Sequence, residues 1–151
     1  MNKPSFKESL ITYYDLMAKY QPERIHRFAR SFEEGGCAAH FSALELDAEM
    51  DADMWKTIHD KYLFMDITTI RIHRFEEEDY IEQHIDSAYA GKSSLILRLD
   101  NNPQNRLIIE DTLVEEKQPR LLRPNTWHAI IPGRGVRYTL CAWGDRVIAG
   151  L

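Results

Sequence analysis

The chain has 151 residues, 44% of them hydrophobic and 28% charged, and its 19 Lys and Arg against 24 Asp and Glu give a formal net charge of −5. This length predicts one domain, residues 1–151, which can bury a core without disulfides or a structural metal. The acidic balance disfavours broad nucleic-acid binding, so no nucleic-acid partner is expected.

Cysteine usage and hydropathy narrow the class of protein further. The two cysteines, Cys37 and Cys141, are too few for a disulfide framework and indicate reduced thiols, with a single bridge between them left open. No apolar run approaches the roughly 18 residues that span a bilayer, and charged residues interrupt the N-terminal stretch. We therefore expect a cytoplasmic protein with no secretory signal and no membrane partner.

The first 65 residues favour helices. In residues 9–20, SLITYYDLMAKY, apolar side chains recur every three or four positions, and Pro22 follows as a stop signal. Residues 48–64, AEMDADMWKTIHDKYLF, carry a second apolar stripe at helical spacing. Between them, residues 35–46, GGCAAHFSALEL, are interpreted as a short strand after a glycine turn. Residues 1–65 are thus predicted to be a helical support region.

After residue 65 the pattern changes to short β-branched or alternating runs separated by turn residues. The runs are DITTIRIHRF, DYIEQHID, SSLILRL, RLIIED, PRLLR, TWHAII and VRYTLCAW. Several short strands after a helical layer predict a mainly β fold with N-terminal helices, a sandwich or jelly-roll barrel with the helices packed on one sheet. An open α+β sheet is the alternative.

The run DYIEQHID contains the first candidate site residues. The two-residue period of a strand places Glu82, His84 and Asp86 on one face. His84 and Asp86 can therefore converge on one point. A lone His-x-Asp pair arises easily by chance, so a second feature is needed to support a site.

The second feature is the run WHAIIPGRGVRYTLCAW. His128 begins one strand and Arg137 lies nine residues later, across the Pro132-Gly133 turn, so we predict a β-hairpin that brings the two together. Arg137 and Thr139 share a face of the second strand, where a guanidinium beside a hydroxyl suits a carboxylate. Two histidines and a carboxylate form the facial triad that binds non-haem Fe(II) with open coordination positions.

The order of these residues resembles the Fe(II)/2-oxoglutarate-dependent oxygenases, most nearly their prolyl-hydroxylase-like branch. The pattern is His-x-Asp, a His 44 residues after the first, and an Arg nine residues further on with Gly two before it and Thr two after it. It covers about residues 70 to 143 and includes the segment IRIHRFEEEDYIEQHID. The resemblance implies a double-stranded β-helix core, jelly-roll and cupin-like, over residues 66–145.

The resemblance also implies roles for individual residues. His84, Asp86 and His128 would bind Fe(II), while Arg137 would pair with the distal carboxylate of 2-oxoglutarate, helped by a hydrogen bond from Thr139. The implied reaction hydroxylates a C–H bond of a small molecule or peptidyl residue with O2, releasing succinate and CO2, with ascorbate as a candidate reductant. Because Asp86 fills the position that halogenating relatives leave to a halide, hydroxylation or a related oxidation is favoured. Substrate recognition falls to short loops or to a second subunit in a homodimer.

One departure from the family pattern concerns Arg98. Where many members have Tyr-Leu-Asn after the His-x-Asp strand, this chain has Arg98-Leu99-Asp100, which replaces a neutral hydroxyl near the co-substrate with a cation. Strand parity points Arg98 into the barrel lumen, and a solvated edge position stays open. We hypothesise that Arg98 contacts either 2-oxoglutarate or a substrate carboxylate.

Two other functions and several simpler interpretations stay open. A cupin-like metalloenzyme could use the same three ligands without 2-oxoglutarate, although neither a typical cupin His-x-His pair nor its downstream Glu is visible. A non-catalytic β-domain could bind a small ligand or a partner. The acidic residues 76–79 are either a solvated loop or a rim that favours cationic substrates. We interpret His73 as structural or exposed, and Trp127 and Trp143 as packing residues.

Overall fold

The structure is a computed structural model that describes residues 3–30, 37–86, 89, 91–114 and 118–147. Within these residues it contains two α-helices, a short 3-10 turn and ten strands. In chain order they are α1 (Phe6–Tyr20), the turn Pro22–Arg24, β1 (Ile25–Arg30), β2 (Ala39–Glu45), α2 (Ala52–Lys61), β3 (Met65–Phe75), β4 (Tyr80–His84), β5 (Ser93–Arg98), β6 (Leu107–Ile109), β7 (Thr112–Val114), β8 (Arg120–Leu122), β9 (His128–Ile130) and β10 (Arg137–Arg146). No helix in this part of the chain is long and apolar enough to cross a membrane.

Both predicted helices are present. The Ser5 side chain caps α1 by accepting a hydrogen bond from the Glu8 backbone N–H at 3.1 Å, which moves the start of the helix ahead of the predicted apolar stripe. Leu10 and Tyr14 are the buried residues of α1, and Ile58 is the buried residue of α2. Each helix therefore packs by a narrow apolar stripe, as expected for a support layer.

The strands form one antiparallel sheet that curls into a half-barrel, which confirms the predicted jelly-roll type of fold. The strand order is β7-β6-β9-β4-β2-β3-β10-β5-β8, with β1 added beside β2. Strand β2 joins the two halves because its first residues pair with β4 and its last residues pair with β3. The region predicted to be helical thus contributes two strands. Strand β1 escaped prediction because four of its six residues are exposed, which leaves no apolar alternation.

Alternation along β10 separates two apolar cores. Tyr138, Leu140 and Ala142 belong to the core beneath the helices. Cys141 and Trp143 belong to the core inside the curl, which we call the lumen, together with Phe41 and Phe75. The predicted two-residue period of this strand is therefore correct, and Cys141 is a buried free thiol.

The predicted hairpin between His128 and Arg137 is wrong. Strand β9 pairs with β4 and β6, whereas β10 pairs with β3 and β5, so the two strands lie in different halves of the curled sheet. Residues 131–136 cross between the halves instead of closing a hairpin. Two strands separated by turn residues look the same in sequence whether they pair with each other or with distant strands.

A buried carboxylate ties the helical layer together. Asp51 is 3% exposed and lies just before α2. It accepts hydrogen bonds from Arg24, from the Tyr13 hydroxyl and, at 2.8 Å, from the Asp47 backbone N–H. Burial by itself raises the pKa of Asp51, but the hydrogen bonds from Arg24 and its other donors lower the pKa overall.

We expect Asp51→Asn to lower the free energy of unfolding by about 3 kcal/mol, because Arg24 is left largely buried without its partner. Asp53→Asn removes the same charge from an exposed position in the first turn of α2, and its cost should stay below about 1 kcal/mol. Since the folded-state pKa of Asp51 is depressed, its contribution is present at neutral pH and is lost as the pH falls below about 4. Urea denaturation at several pH values measures both effects, and equal losses for the two variants would contradict this account.

Candidate metal centre

Strand register brings the predicted metal ligands together. Strands β4 and β9 pair so that His84 lies opposite His128, with ring centroids 4.3 Å apart. Asp86 follows two residues after β4, and its carboxylate oxygens lie 3.1 Å from His84 Nε2 and 3.5 Å from His128 Nε2. One ligand atom from each of the three residues lies within 4.8 Å of the others. The group is therefore able to hold a metal ion.

Backbone carbonyls orient both imidazole rings. The Nδ1 atom of His84 lies 2.8 Å from the Glu82 carbonyl, and that of His128 lies 2.9 Å from the Thr126 carbonyl. A carbonyl only accepts hydrogen bonds, so each Nδ1 carries a hydrogen, and Nε2 is the atom that each ring turns to Asp86 or to a metal ion. This arrangement is typical of histidines that bind metals.

Strand β10 contributes a residue that the sequence interpretation assigned to packing. The Trp143 indole N–H donates a hydrogen bond of 3.0 Å to Asp86 Oδ2, which fixes the carboxylate between the two rings. Hydrogen bonds from residues outside the ligand set hold metal ligands in their binding orientation. The sequence did contain a signal for this contact, because strand parity places Trp143 on the same face of β10 as Thr139 and Cys141.

Electrostatics keep Asp86 ionised. Burial by itself raises the pKa of this carboxyl, but hydrogen bonds from His128, His84 and Trp143 hold it well below its usual range. Burial lowers the pKa of His128, and its contact with Asp86 then raises the pKa overall. The donor set is thus a carboxylate and two imidazoles, which suits a divalent transition metal.

The predicted alternation along DYIEQHID does not hold through the whole run. A register irregularity separates Ile81 from His84 in the pairing with β9. Ile81 packs in the lumen core, while Glu82 is exposed and accepts a 3.0 Å hydrogen bond from the Ala38 backbone N–H. This bulge lets the side chains of Ile81 and His84 lie on the same side of the sheet. The alternation of residue types along the sequence does not reveal it.

Arg137, the predicted partner of the distal carboxylate, is hydrogen-bonded to backbone carbonyls. It is 0% exposed, and its guanidinium donates to the carbonyls of Glu76 at 2.9 Å, Asp79 at 2.9 Å and Ile131 at 3.0 Å. Longer contacts of 3.4 Å reach the Gly133 and Gly135 carbonyls. Arg137 therefore fastens the loop between β3 and β4 to residues 131–136.

Arg98 and Thr139 lie side by side on neighbouring strands that face the lumen. They are opposite each other in the pairing of β5 with β10, and both line one small cavity. Thr139 also lines an adjoining cavity together with the three candidate metal ligands. Arg98 Nε and Thr139 Oγ1 are buried and have no hydrogen-bonding partner among the described residues. The alternation along β5 correctly predicted that Arg98 points into the lumen. The unpaired Arg98 and Thr139 groups can donate hydrogen bonds to an anion with acceptor oxygens.

A larger cavity opens on the other side of the metal ligands. Its volume is about 500 Å³, and His84 and Asp86 line it together with aromatic and basic side chains. The acidic residues 76–79 do not line it. Three of them are exposed, as a solvated loop requires, whereas Asp79 is buried and pairs with Arg27 at 2.7 and 2.8 Å.

Comparisons with known proteins inform the fold. No family model matches the chain, and no curated protein sequence matches it either. Among solved structures, a Pseudomonas putida prolyl-4-hydroxylase is similar with a TM-score of 0.70 and 14% identity over 93% of this chain and 87% of that one. A Trichoplax adhaerens prolyl hydroxylase, solved with a hypoxia inducible factor peptide fragment, is similar with a TM-score of 0.67 and 13% identity over 95% and 79%.

A cupin 2 conserved barrel protein from Rhodopseudomonas palustris is also similar, with a TM-score of 0.53 and 14% identity over 81% of this chain and 72% of that one. These likenesses confirm the predicted jelly-roll, cupin-like core. They also show that this chain shares its fold with prolyl hydroxylases.

The two arginines should differ in their effect on stability. Arg137→Met should lower the free energy of unfolding by about 3 kcal/mol or more, because several carbonyls lose a charged donor. Arg98→Met should cost less than about 1 kcal/mol, because Arg98 Nε already lacks a partner. Urea denaturation of both variants makes the comparison, and a larger loss for Arg98→Met would show that the contacts are misassigned.

Proposed function

We propose that the protein is an Fe(II)- and 2-oxoglutarate-dependent dioxygenase that hydroxylates a C–H bond and releases succinate and CO2. The observation that carries the proposal is the convergence of His84, Asp86 and His128 within 4.8 Å at the lumen of this fold. Solved structures with the same fold include prolyl hydroxylases. The carboxylate of Asp86 favours hydroxylation or a related oxidation over halogenation.

In this proposal His84, Asp86 and His128 would hold Fe(II), which supplies the activation of O2 when it is bound. The protein provides the geometry. Carbonyls hold the two imidazoles with Nε2 facing Asp86, and Trp143 holds the carboxylate in place. Since Asp86 is ionised without a metal, no proton has to leave it before a cation binds.

We assign the distal carboxylate of 2-oxoglutarate to Arg98 and Thr139. Both residues carry a buried group without a partner, and Thr139 lines the same small cavity as the metal ligands. A guanidinium and a hydroxyl in an enclosed site form strong hydrogen bonds to a carboxylate. Arg137, whose donors already bind backbone carbonyls, would support this site from outside it.

A cupin-like metalloenzyme that works without 2-oxoglutarate is the second candidate, since a cupin barrel has a similar fold. It would use the same three ligands and leave the Arg98 cation without a role. The unpaired Arg98 Nε and Thr139 Oγ1 therefore favour the 2-oxoglutarate enzyme. Oxygen consumption that is independent of 2-oxoglutarate would favour the cupin-like metalloenzyme over the 2-oxoglutarate enzyme.

We expect the protein to form succinate from 2-oxoglutarate in the presence of Fe(II), O2 and ascorbate, even without its substrate, at a slow rate. His128→Ala should abolish succinate formation and also the thermal stabilisation by Mn(II), because one of three ligands is lost. His26→Ala, at an exposed position on β1, is the matched control and should change neither. A protein that gains no stability from Fe(II), Mn(II) or Co(II) and makes no succinate would favour the non-catalytic β-domain.

Arg98→Met should raise the KM for 2-oxoglutarate about tenfold or more, because a charged hydrogen bond to the distal carboxylate is lost. The thermal shift with Mn(II) alone should be retained, since Arg98 is not a metal ligand. Initial rates of succinate formation at varied 2-oxoglutarate give the KM. An unchanged KM would remove Arg98 from the co-substrate site.

A further inference from the structure

The 500 Å³ cavity beside His84 and Asp86 is lined by several aromatic side chains and two arginines. Residues of five strands, β1, β2, β3, β4 and β10, line it together with the segments around Asp86 and Trp127, and its volume suits a small organic molecule. Trp127 is 51% exposed at this cavity, which leaves a large ring free to contact a ligand. Phe28, Phe41 and Trp143 add further aromatic surface.

Two carboxylates line this cavity, Glu82 and Asp86. Asp86 is held by His84, His128 and Trp143, whereas Glu82 is exposed and accepts a hydrogen bond from the Ala38 backbone N–H. The guanidiniums of Arg30 and Arg71 line the same cavity and balance these two charges, so the lining does not favour a cationic ligand. A metal ion at Asp86 would make the cavity still more favourable for anions.

Two arginines line this cavity, Arg30 and Arg71, and Arg71 is the one that three aromatic rings and an ion pair hold in place. Its guanidinium carbon lies 5.7 Å from the Phe28 ring centroid and 5.8 Å from each of the Tyr89 and Trp143 centroids. Arg71 Nε donates to Glu45 at 2.9 Å, while Nη1 and Nη2 have no hydrogen-bonding partner among the described residues. Rings that cover the faces of a guanidinium restrict its motion and leave its edge for a carboxylate.

His73 adds a second unpaired group on the same face of β3. It is 5% exposed, lines the cavity, and its Nε2 has no partner among the described residues. Burial lowers the pKa of His73 to about 3, so the ring is neutral. Burial also raises the pKa of the Cys141 thiol, whose Sγ lies 3.7 Å from His73 Nδ1. In the tautomer in which this thiol donates to Nδ1, Nε2 carries a hydrogen and needs an acceptor.

We propose that this cavity binds a small aromatic carboxylic acid, with the carboxylate on the free edge of Arg71 and the ring among the aromatic side chains. In calling that acid the substrate, the proposal rests on the proposed function. The neutral His73 would donate a hydrogen bond to a further ligand oxygen. The cavity would therefore bind an organic anion. One interpretation of the acidic residues 76–79 had instead been a rim that favours cationic substrates.

The test compares three probes of one shape: 3-phenylpropanoate, its neutral amide 3-phenylpropanamide, and the cation 3-phenylpropylammonium. Isothermal titration calorimetry uses the whole protein with Mn(II), with and without saturating 2-oxoglutarate. The acid should bind at least about tenfold more tightly than the amide, and the cation more weakly than both. Equal affinity for the acid and the amide would overturn the proposal.

Two variants and a control locate the binding site. Arg71→Met should remove the preference for the acid, and Glu45→Gln should increase it because the ion pair at Arg71 Nε is lost. Arg74→Met, three residues along β3 and paired with Glu76 and Tyr138, should leave the preference unchanged. A preference that survives Arg71→Met would overturn the proposal.

These titrations need no turnover, so the two proposals can fail separately. Succinate formation without a preference for the acid would refute only the ligand assignment. A preference for the acid without succinate formation would refute only the oxygenase.

Discussion

The pairing of β4 with β9 is the constraint on which the site depends. It places His84 opposite His128, and the chain then turns so that Asp86 meets both rings. A slip of one residue in this pairing would turn one histidine to the other face of the sheet. The Trp143 indole ties the same carboxylate to β10, so strands from both halves of the curled sheet converge on Asp86. Burial of Ile81 and Ile130 in the lumen core holds the register.

The arginines near the lumen divide three tasks in a chain of net charge −5. Arg137 donates hydrogen bonds to backbone carbonyls and ties the loop between β3 and β4 to residues 131–136. Arg98 carries an unpaired donor at the inner cavity, and Arg71 carries a free edge at the outer one. The lumen is thus basic although the molecule is acidic. This separation gives the proposed co-substrate and the proposed substrate each a cation of its own.

Sequence predicted the jelly-roll class and both helices because local periodicity and turn residues carry that information. The convergence of His128 with His84 and Asp86 was implied by the resemblance to the Fe(II)/2-oxoglutarate-dependent oxygenases. Prediction from the sequence failed where a partner lies far away along the chain. The hairpin after His128 was wrong because both edges of β9 are taken by β4 and β6. The surroundings of Arg137 could not be predicted, since the carbonyls that it binds include those of Glu76 and Asp79, which no side-chain pattern encodes.

We propose that this lumen binds a divalent metal on His84, Asp86 and His128, with 2-oxoglutarate beside it. A crystal structure of the protein with Mn(II) and 2-oxoglutarate is the decisive measurement. We expect the metal on the two Nε2 atoms and the Asp86 carboxylate, with the distal carboxylate of 2-oxoglutarate on Arg98 and Thr139. A metal bound elsewhere, or a distal carboxylate bound by Arg137 after it has released its carbonyls, would contradict this proposal.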